Sequence, residues 1–258
     1  MDAAPPVKVE ELPRQPQAAA FFDFDHTLLD GDAGVIFATT LLAWGFERGN
    51  NLKGAERRRH YVATSAQIAG NVGKGMFYRS LNALGIMKRS ELIERLYRML
   101  KDMPAAEMSR RMERAWNERI RQRLYPDMVR LLEEHRKAGR RIVIVTTGMK
   151  ELVLHARKAL GEDVEVIGVE MHARDGLWLG SVEGPLYGVH KADAVRAWAV
   201  QNNVDLAQSY AYSDHFSDAA FLALVGHPVA VNPDLRLRLY ARKKGWRTLN
   251  VLPPHRGG

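Results

Sequence analysis

The sequence predicts an α/β fold, a mostly parallel sheet flanked by helices with an all-helical block inserted after the first strand. Three observations carry this expectation. From Tyr125 onward, short apolar runs alternate with segments of helical period, the rhythm of βαβ units. One further apolar run, Ala18 to Phe24, stands apart near the start of the chain. Between them, from Ala33 to Leu124, apolar residues recur at spacings of three and four with few β-branched runs.

Ala18 to Phe24 reads as a buried parallel strand, because it is continuously apolar until its acidic end. Within the helical block, Leu92, Leu96, Met99 and Leu100 keep helical spacing, and Pro104 suits the start of a helix running toward Arg123. Pro126 opens a helix that Gly139 closes, and Arg141 to Val145 is the next strand. A helix over Glu151 to Leu160 and a strand over Val164 to Val169 follow, then a hairpin at Arg174-Asp175-Gly176. Helices at Ala192 to Val200, from Asp218, and at Asp234 to Lys243 alternate with strands at Ser209 to Tyr212, Pro228 to Val231 and Arg247 to Val251. Residues 1–16 are rich in Pro, Glu and Gln without periodicity and read as a flexible tail.

Composition narrows the function. The 258 residues are 46% hydrophobic and 26% charged, within the range of ordinary globular proteins. With no cysteine there is no disulfide, no thiolate nucleophile and no cysteine zinc site, so oxygen or imidazole ligands must hold any metal. The nearly apolar run Val35 to Phe46 is too short to span a bilayer and no basic leader precedes an apolar stretch, so a cytoplasmic, soluble protein is expected.

Ligands of open parallel sheets bind beyond the carboxyl ends of the strands. The polar residues there are Asp23, Asp25 and Thr27 after the first strand, Thr146, Thr147 and Gly148 after the second, and Ser213, Asp214 and Asp218 after a later one. Carboxylates brought together repel unless a cation neutralises them, and an all-oxygen set selects a hard ion such as Mg²⁺. Phosphoryl transfer uses such a set together with hydroxyl and N–H donors and a lysine. Lys191, opening a helix after a glycine-containing loop, supplies the lysine.

In that order the motifs FFDFDHT (Phe21 to Thr27), IVIVTTG (Ile142 to Gly148), Gly188-Val-His-Lys191 and YSDHFSD (Tyr212 to Asp218), followed by GHPVAVNPD, resemble the four motifs of the haloacid dehalogenase superfamily. The helical insertion resembles the cap of its phosphoserine phosphatase-like branch. The resemblance implies a Rossmann-like three-layer core over 17–32 and 125–258 and a helical cap over 33–124. It implies a Mg²⁺-dependent phosphomonoesterase acting on a small phosphorylated metabolite. In it, Asp23 attacks phosphorus, Asp25 serves as acid and base, and Asp23, Asp214 and the main-chain carbonyl of Asp25 hold Mg²⁺. Thr146 and the Thr147 N–H bind phosphate oxygens, Lys191 neutralises nucleophile and phosphate, and Asp218 orients from behind. Ser213 stands before Asp214 where many relatives carry glycine, which leaves the ligand intact. Asp32 lies nine residues after Asp23, where phosphoserine phosphatases carry a glutamate that reads the substrate ammonium; helix capping is its other reading. His26 and His215 adjoin the motif aspartates, as substrate contacts or as loop residues.

The charge is uneven. Glu47 to Tyr125 holds 18 Lys+Arg against 8 Asp+Glu, so the excess behind the net +8 belongs to the helical block, including Arg57-Arg58-Arg59 and Arg110-Arg111. A solvated helical face is the ordinary reading; an anionic lipid headgroup is a candidate partner, and nucleic acid ranks last because no nucleic-acid motif accompanies the arginines. Gly70 to Gly75 lacks the strand and the Ser/Thr of a phosphate loop. A phosphotransferase to an alcohol, and a non-catalytic protein binding lipid or nucleic acid, are the two alternatives. Oligomeric state is not legible.

Overall fold

The computed structural model describes residues 16–50, 95, 97, 98, 100–183 and 189–254. The tail expected over 1–16, apart from residue 16, lies outside these residues, as do Arg57-Arg58-Arg59, Gly70 to Gly75 and most of the block around them.

Seven strands form one sheet: β1 (Ala19–Asp23), β2 (Arg141–Met149), β3 (Glu165–Arg174), β4 (Leu177–Glu183), β5 (Tyr210–Ser213), β6 (His227–Val231) and β7 (Arg247–Leu249). Their order is β4-β3-β2-β1-β5-β6-β7, parallel throughout except for the antiparallel β3–β4 hairpin. Asp175 (φ 52°) and Gly176 (φ 78°) make the hairpin turn, the left-handed pair that an Asp-Gly dipeptide favours. From β1 the chain winds outward through β2 and β3, then returns to start again at β5. The winding therefore reverses between β1 and β5, which opens a crevice at their carboxyl ends.

Between β1 and β2 every described element is helical: α1 (Ala33–Asn50), α2 (Ala105–Ala115) and α3 (Pro126–Lys137). The remaining helices are α4 (Lys150–Leu154), α5 (Arg157–Leu160), α6 (Val189–Gln201), α7 (Ala219–Leu222) and α8 (Leu235–Lys244). Alternate residues of the strands face opposite layers. Phe22, Ile142, Ile144 and Tyr212 pack with Trp116, Met128 and Leu132, whereas Phe21, Val143, Val145 and Ala211 pack with Val195, Phe221 and Leu237. Each of these fully buried large side chains contributes about 1.5–3 kcal/mol, and a polar residue at any of them would forfeit it.

Several expected boundaries differ, three of them in ways that change the local structure. The helix opened by Pro104 is α-helical only to Ala115; a π-turn over Trp116–Ile120 and a 3-10 turn over Arg121–Arg123 follow, which keeps both Trp116 and Ile120 buried. The strand expected to stop at Val145 continues to Met149, with its register to β3 broken between Val145 and Met149. The single helix expected over Glu151 to Leu160 is two, because the N–H groups of Ala156 and Ala159 bond three residues back, to Val153 and Ala156.

His135 of α3 is buried against the sheet, its Nε2 2.6 Å from the Tyr212 hydroxyl and its ring against Phe22 and Tyr210. Burial, and then the Arg140 charge, push its pKa down to about 4 from 6.5. The unfolded chain therefore binds a proton between those values that the folded chain refuses. This contribution is complete above pH 6.5 and lost as pH falls toward 4, on the order of 3 kcal/mol in full. Urea unfolding across this range should show a steeper acid loss in the parent than in His135→Gln; parallel curves would refute the assignment.

Candidate active site

The crevice between β1 and β5 is lined first by Asp23, the last residue of β1 and nearly buried. Lys191, in the first turn of α6 and 1% exposed, places Nζ 2.5 Å from Asp23 Oδ1 and 2.6 Å from Asp218 Oδ2. The Ser213 hydroxyl donates to Asp218 Oδ2 at 2.7 Å. Burial by itself would lower the pKa of the ammonium, but the Asp218 and Asp23 charges outweigh it and hold Lys191 protonated. Burial raises the Asp23 pKa well above the carboxylate range against the pull of Lys191, and Asp218 and Asp214 add to the rise.

The turn after β1 folds back because Leu28 and Leu29 donate their N–H groups to Phe24 O, both at 3.0 Å. His26 takes φ 58° within it, a left-handed conformation that His tolerates better than β-branched residues. This directs Asp25 into the same crevice, where its Oδ1 accepts the Ala33 N–H at 2.8 Å, at the start of α1. Burial, followed by the Asp32 charge, raises Asp25 to about 7, while the Ala33 bond opposes the rise. The fully buried Thr27 hydroxyl lies 3.4 Å from both Asp23 Oδ2 and Asp214 Oδ1. Asp214 follows β5 and is raised by burial, with the His26 charge opposing.

Thr146 Oγ1 accepts the Gly148 N–H at 2.9 Å, which leaves its own O–H to donate. A Cβ at Gly148 would stand 3.3 Å from Thr146 Oγ1 and 3.9 Å from Asp25 Oδ2, so glycine keeps the space between them clear. Thr147 lies in the segment where the β2–β3 register breaks. Among the described residues, no three His, Asp or Glu side chains come together as a group that could hold a metal ion.

The profile of the family described as haloacid dehalogenase-like hydrolase matches residues 20–223. The chain belongs to this family. This haloacid dehalogenase-like hydrolase is 32% identical over 241 residues to an inhibition of morphological differentiation protein of Streptomyces azureus, covering 93% of this chain and 81% of that one. It is 30% identical over 251 residues to a phosphoserine phosphatase of Mycobacterium tuberculosis, covering 95% and 76%. A solved structure of a protein of unknown function from Bordetella pertussis superposes with a TM-score of 0.72 at 26% identity, covering 91% of this chain and 99% of that one. The chain is thus an enzyme of the hydrolase family whose relatives include proteins named phosphatase, in the phosphoserine phosphatase-like branch.

The hydrolase fold gathers Asp23, Asp25, Thr27, Thr146, Lys191, Asp214 and Asp218 at this one sheet edge. Asp32 makes the capping contact, its Oδ1 accepting the Val35 N–H at 2.8 Å, and its charge also reaches Asp25. His215 is a loop residue: its Nδ1 accepts the Ser217 N–H at 3.1 Å and its Nε2 lies 3.3 Å from Asp234 Oδ2. Of three further residues at the site, Asp234 and Tyr97 were not singled out from the sequence, and Ser213 was collected there without its partner. The Ser213 hydroxyl is anchored on Asp218, Asp234 holds the loop after β5, and Tyr97 is 8% exposed with its phenol pKa raised by burial and then by the Asp25 and Asp32 charges. The NPD string after β6 carried a signal for Asp234; the helical spacing of Leu96 and Leu100 passes over Tyr97. Among the described residues no helix is long and apolar enough to cross a membrane.

Proposed function

We propose that this hydrolase is a Mg²⁺-dependent phosphomonoesterase acting on a small organic phosphate through an aspartyl-phosphate on Asp23. The observation that carries the reading is the buried Asp23–Lys191–Asp218 array at the crevice, with Asp25 and Thr146 beside it. A strand-end carboxylate held by a buried lysine is oriented for in-line attack.

The donor chemistry fits a hard cation. Asp23 Oδ2 and Asp214 Oδ1 flank one hydroxyl, and burial raises both carboxyl groups, with Asp218 adding to each rise and Asp214 adding to that of Asp23. Asp23, Asp214 and the main-chain carbonyl of Asp25 would hold Mg²⁺, with water completing the shell. When bound, the ion would offset phosphate charge as the nucleophile approaches.

The residues divide the remaining work. Lys191 fixes Asp23 Oδ1 and offsets negative charge in the transition state. The Thr146 hydroxyl and Thr147 N–H would hold phosphate oxygens. Asp25, with a pKa near 7, keeps a proton to give the leaving oxygen and afterwards takes one from the water that cleaves the aspartyl-phosphate. The division into a core over 17–32 and 125–258 and a cap over 33–124 belongs to this proposal, with the cap excluding bulk water during attack. A relative named phosphoserine phosphatase makes phosphoserine the first substrate to try.

The test is phosphate release from a panel of phosphorylated metabolites with Mg²⁺, with alcohol and phosphate both measured. Equimolar products are expected; an excess of alcohol over phosphate would indicate transfer, and no turnover would overturn the reading. Asp25→Asn should lose about 10²–10⁴-fold on alkyl phosphates, the usual worth of general acid–base catalysis. It should lose much less in the first half-reaction on p-nitrophenyl phosphate, whose leaving group needs no proton. Equal losses in the aspartyl-phosphate-forming burst with both substrates would rule out the acid role.

A further inference from the structure

Asp214, the proposed cation ligand, stands on a loop, and the hydrogen bond its carboxylate makes to another side chain among the described residues is the long one to Thr27 at 3.4 Å. Its position must therefore come through the backbone. The contacts that hold this backbone converge on one residue. Asp234, between β6 and α8, donates its N–H to Asp214 O at 2.9 Å. Its Oδ2 accepts the Phe216 N–H at 3.0 Å and lies 3.3 Å from His215 Nε2. Its Oδ1 accepts the Leu237 N–H at 2.7 Å, capping α8.

We infer that Asp234 is a positioning residue for the cation: it clamps the 214–216 loop to the end of α8 and so fixes the Asp214 carboxylate where a divalent ion meets it. This deepens the proposed function and rests on its metal site. The main-chain bond to Asp214 O needs no particular side chain, so the carboxylate's own share is the tie to Phe216 and His215. Groups that orient a metal ligand in this way set affinity as well as geometry, and losing one typically weakens binding 10–100-fold.

The cap and the clamp can be separated. Serine and asparagine both cap helices as well as aspartate, so Asp234→Ser and Asp234→Asn preserve the bond to Leu237. Serine is too short to reach Phe216 at the same time, and asparagine can turn only its amide nitrogen toward that N–H. Mn²⁺ binding to the full chain, measured without substrate by electron paramagnetic resonance, gives a readout independent of turnover. Both variants should bind Mn²⁺ about 10–100-fold more weakly than the parent while their unfolding midpoints stay at the parent value. Asp234→Ala should bind equally weakly and also melt earlier, having lost the cap. Parent-like Mn²⁺ affinity in folded Asp234→Ser or Asp234→Asn would overturn the inference alone. A parent that binds no Mn²⁺, or an Asp214→Asn variant that binds it unchanged, would overturn the metal reading and the inference with it.

Discussion

Asp23→Asn is expected to abolish phosphate release, by at least about 10³-fold in kcat, while leaving the fold intact. The nucleophilic oxygen is lost outright, because an amide cannot accept phosphorus and later release it to water. Removing a buried charge is usually hazardous, but Lys191 remains 2.6 Å from Asp218, so the ammonium is not left alone. The amide oxygen of the near-isosteric Asn can still accept from Nζ in place of Asp23 Oδ1. The carboxylate that is removed is one that burial already disfavours, with Asp218 and Asp214 adding to the cost. Circular dichroism and an unfolding midpoint within a few degrees of the parent should therefore accompany the lost activity. Turnover undiminished in a folded Asp23→Asn would exclude the aspartyl-phosphate mechanism; an unfolded variant would show that Asp218 alone cannot hold Lys191.

How far this site can be read from the sequence depends on how local each contact is. Asp23 and Asp25 were legible because AAFFD is a strand buried on both faces whose next residues must turn. Lys191 was legible from its place at a helix start, although its partners lie 168 and 27 residues away. The continuation of β2 through Thr146 to Met149 was not, since Thr-Thr-Gly carries turn chemistry and only pairing with β3 keeps it extended. The break between α4 and α5 has no glycine or proline to announce it and arises from short backbone bonds at Ala156 and Ala159. Asp32 shows a different limit. Its position after Asp23 fits both a substrate reader and a helix cap, and the 2.8 Å bond from the Val35 N–H to Oδ1 shows a capping contact that is compatible with either role. In the sequence Ser213 is only a residue that replaces glycine and leaves the Asp214 ligand intact; folding brings its hydroxyl onto Asp218, where it becomes part of the lysine's support.

Lys191→Met should cost both activity and stability, and the pH dependence of the stability loss separates an electrostatic cause from a packing one. Methionine fills much of the volume of a side chain that is 1% exposed, so little cavity is left. What remains is Asp23 and Asp218 facing each other without the ammonium that lies within 2.6 Å of both. Stranding buried charges in this way typically costs about 3–5 kcal/mol. The Ser213 bond to Asp218 offsets a part of that, so about 3 kcal/mol near neutral pH is expected. The sign of the pH dependence follows from the direction of the carboxyl shift. Asp23 is raised above its ordinary value even with Lys191 present, and removing the ammonium raises it further. A carboxyl whose folded pKa exceeds its unfolded one destabilises fully above the folded value and not at all below the unfolded one. The deficit of Lys191→Met against the parent should therefore shrink as pH falls from the folded value of the variant to the lower, still raised, folded value of the parent, below which Asp23 carries its proton in both. Urea unfolding of both proteins from alkaline to acid pH tests this: a deficit that stays constant over the whole range would assign the loss to packing and leave the buried ion array without the energetic role given to it.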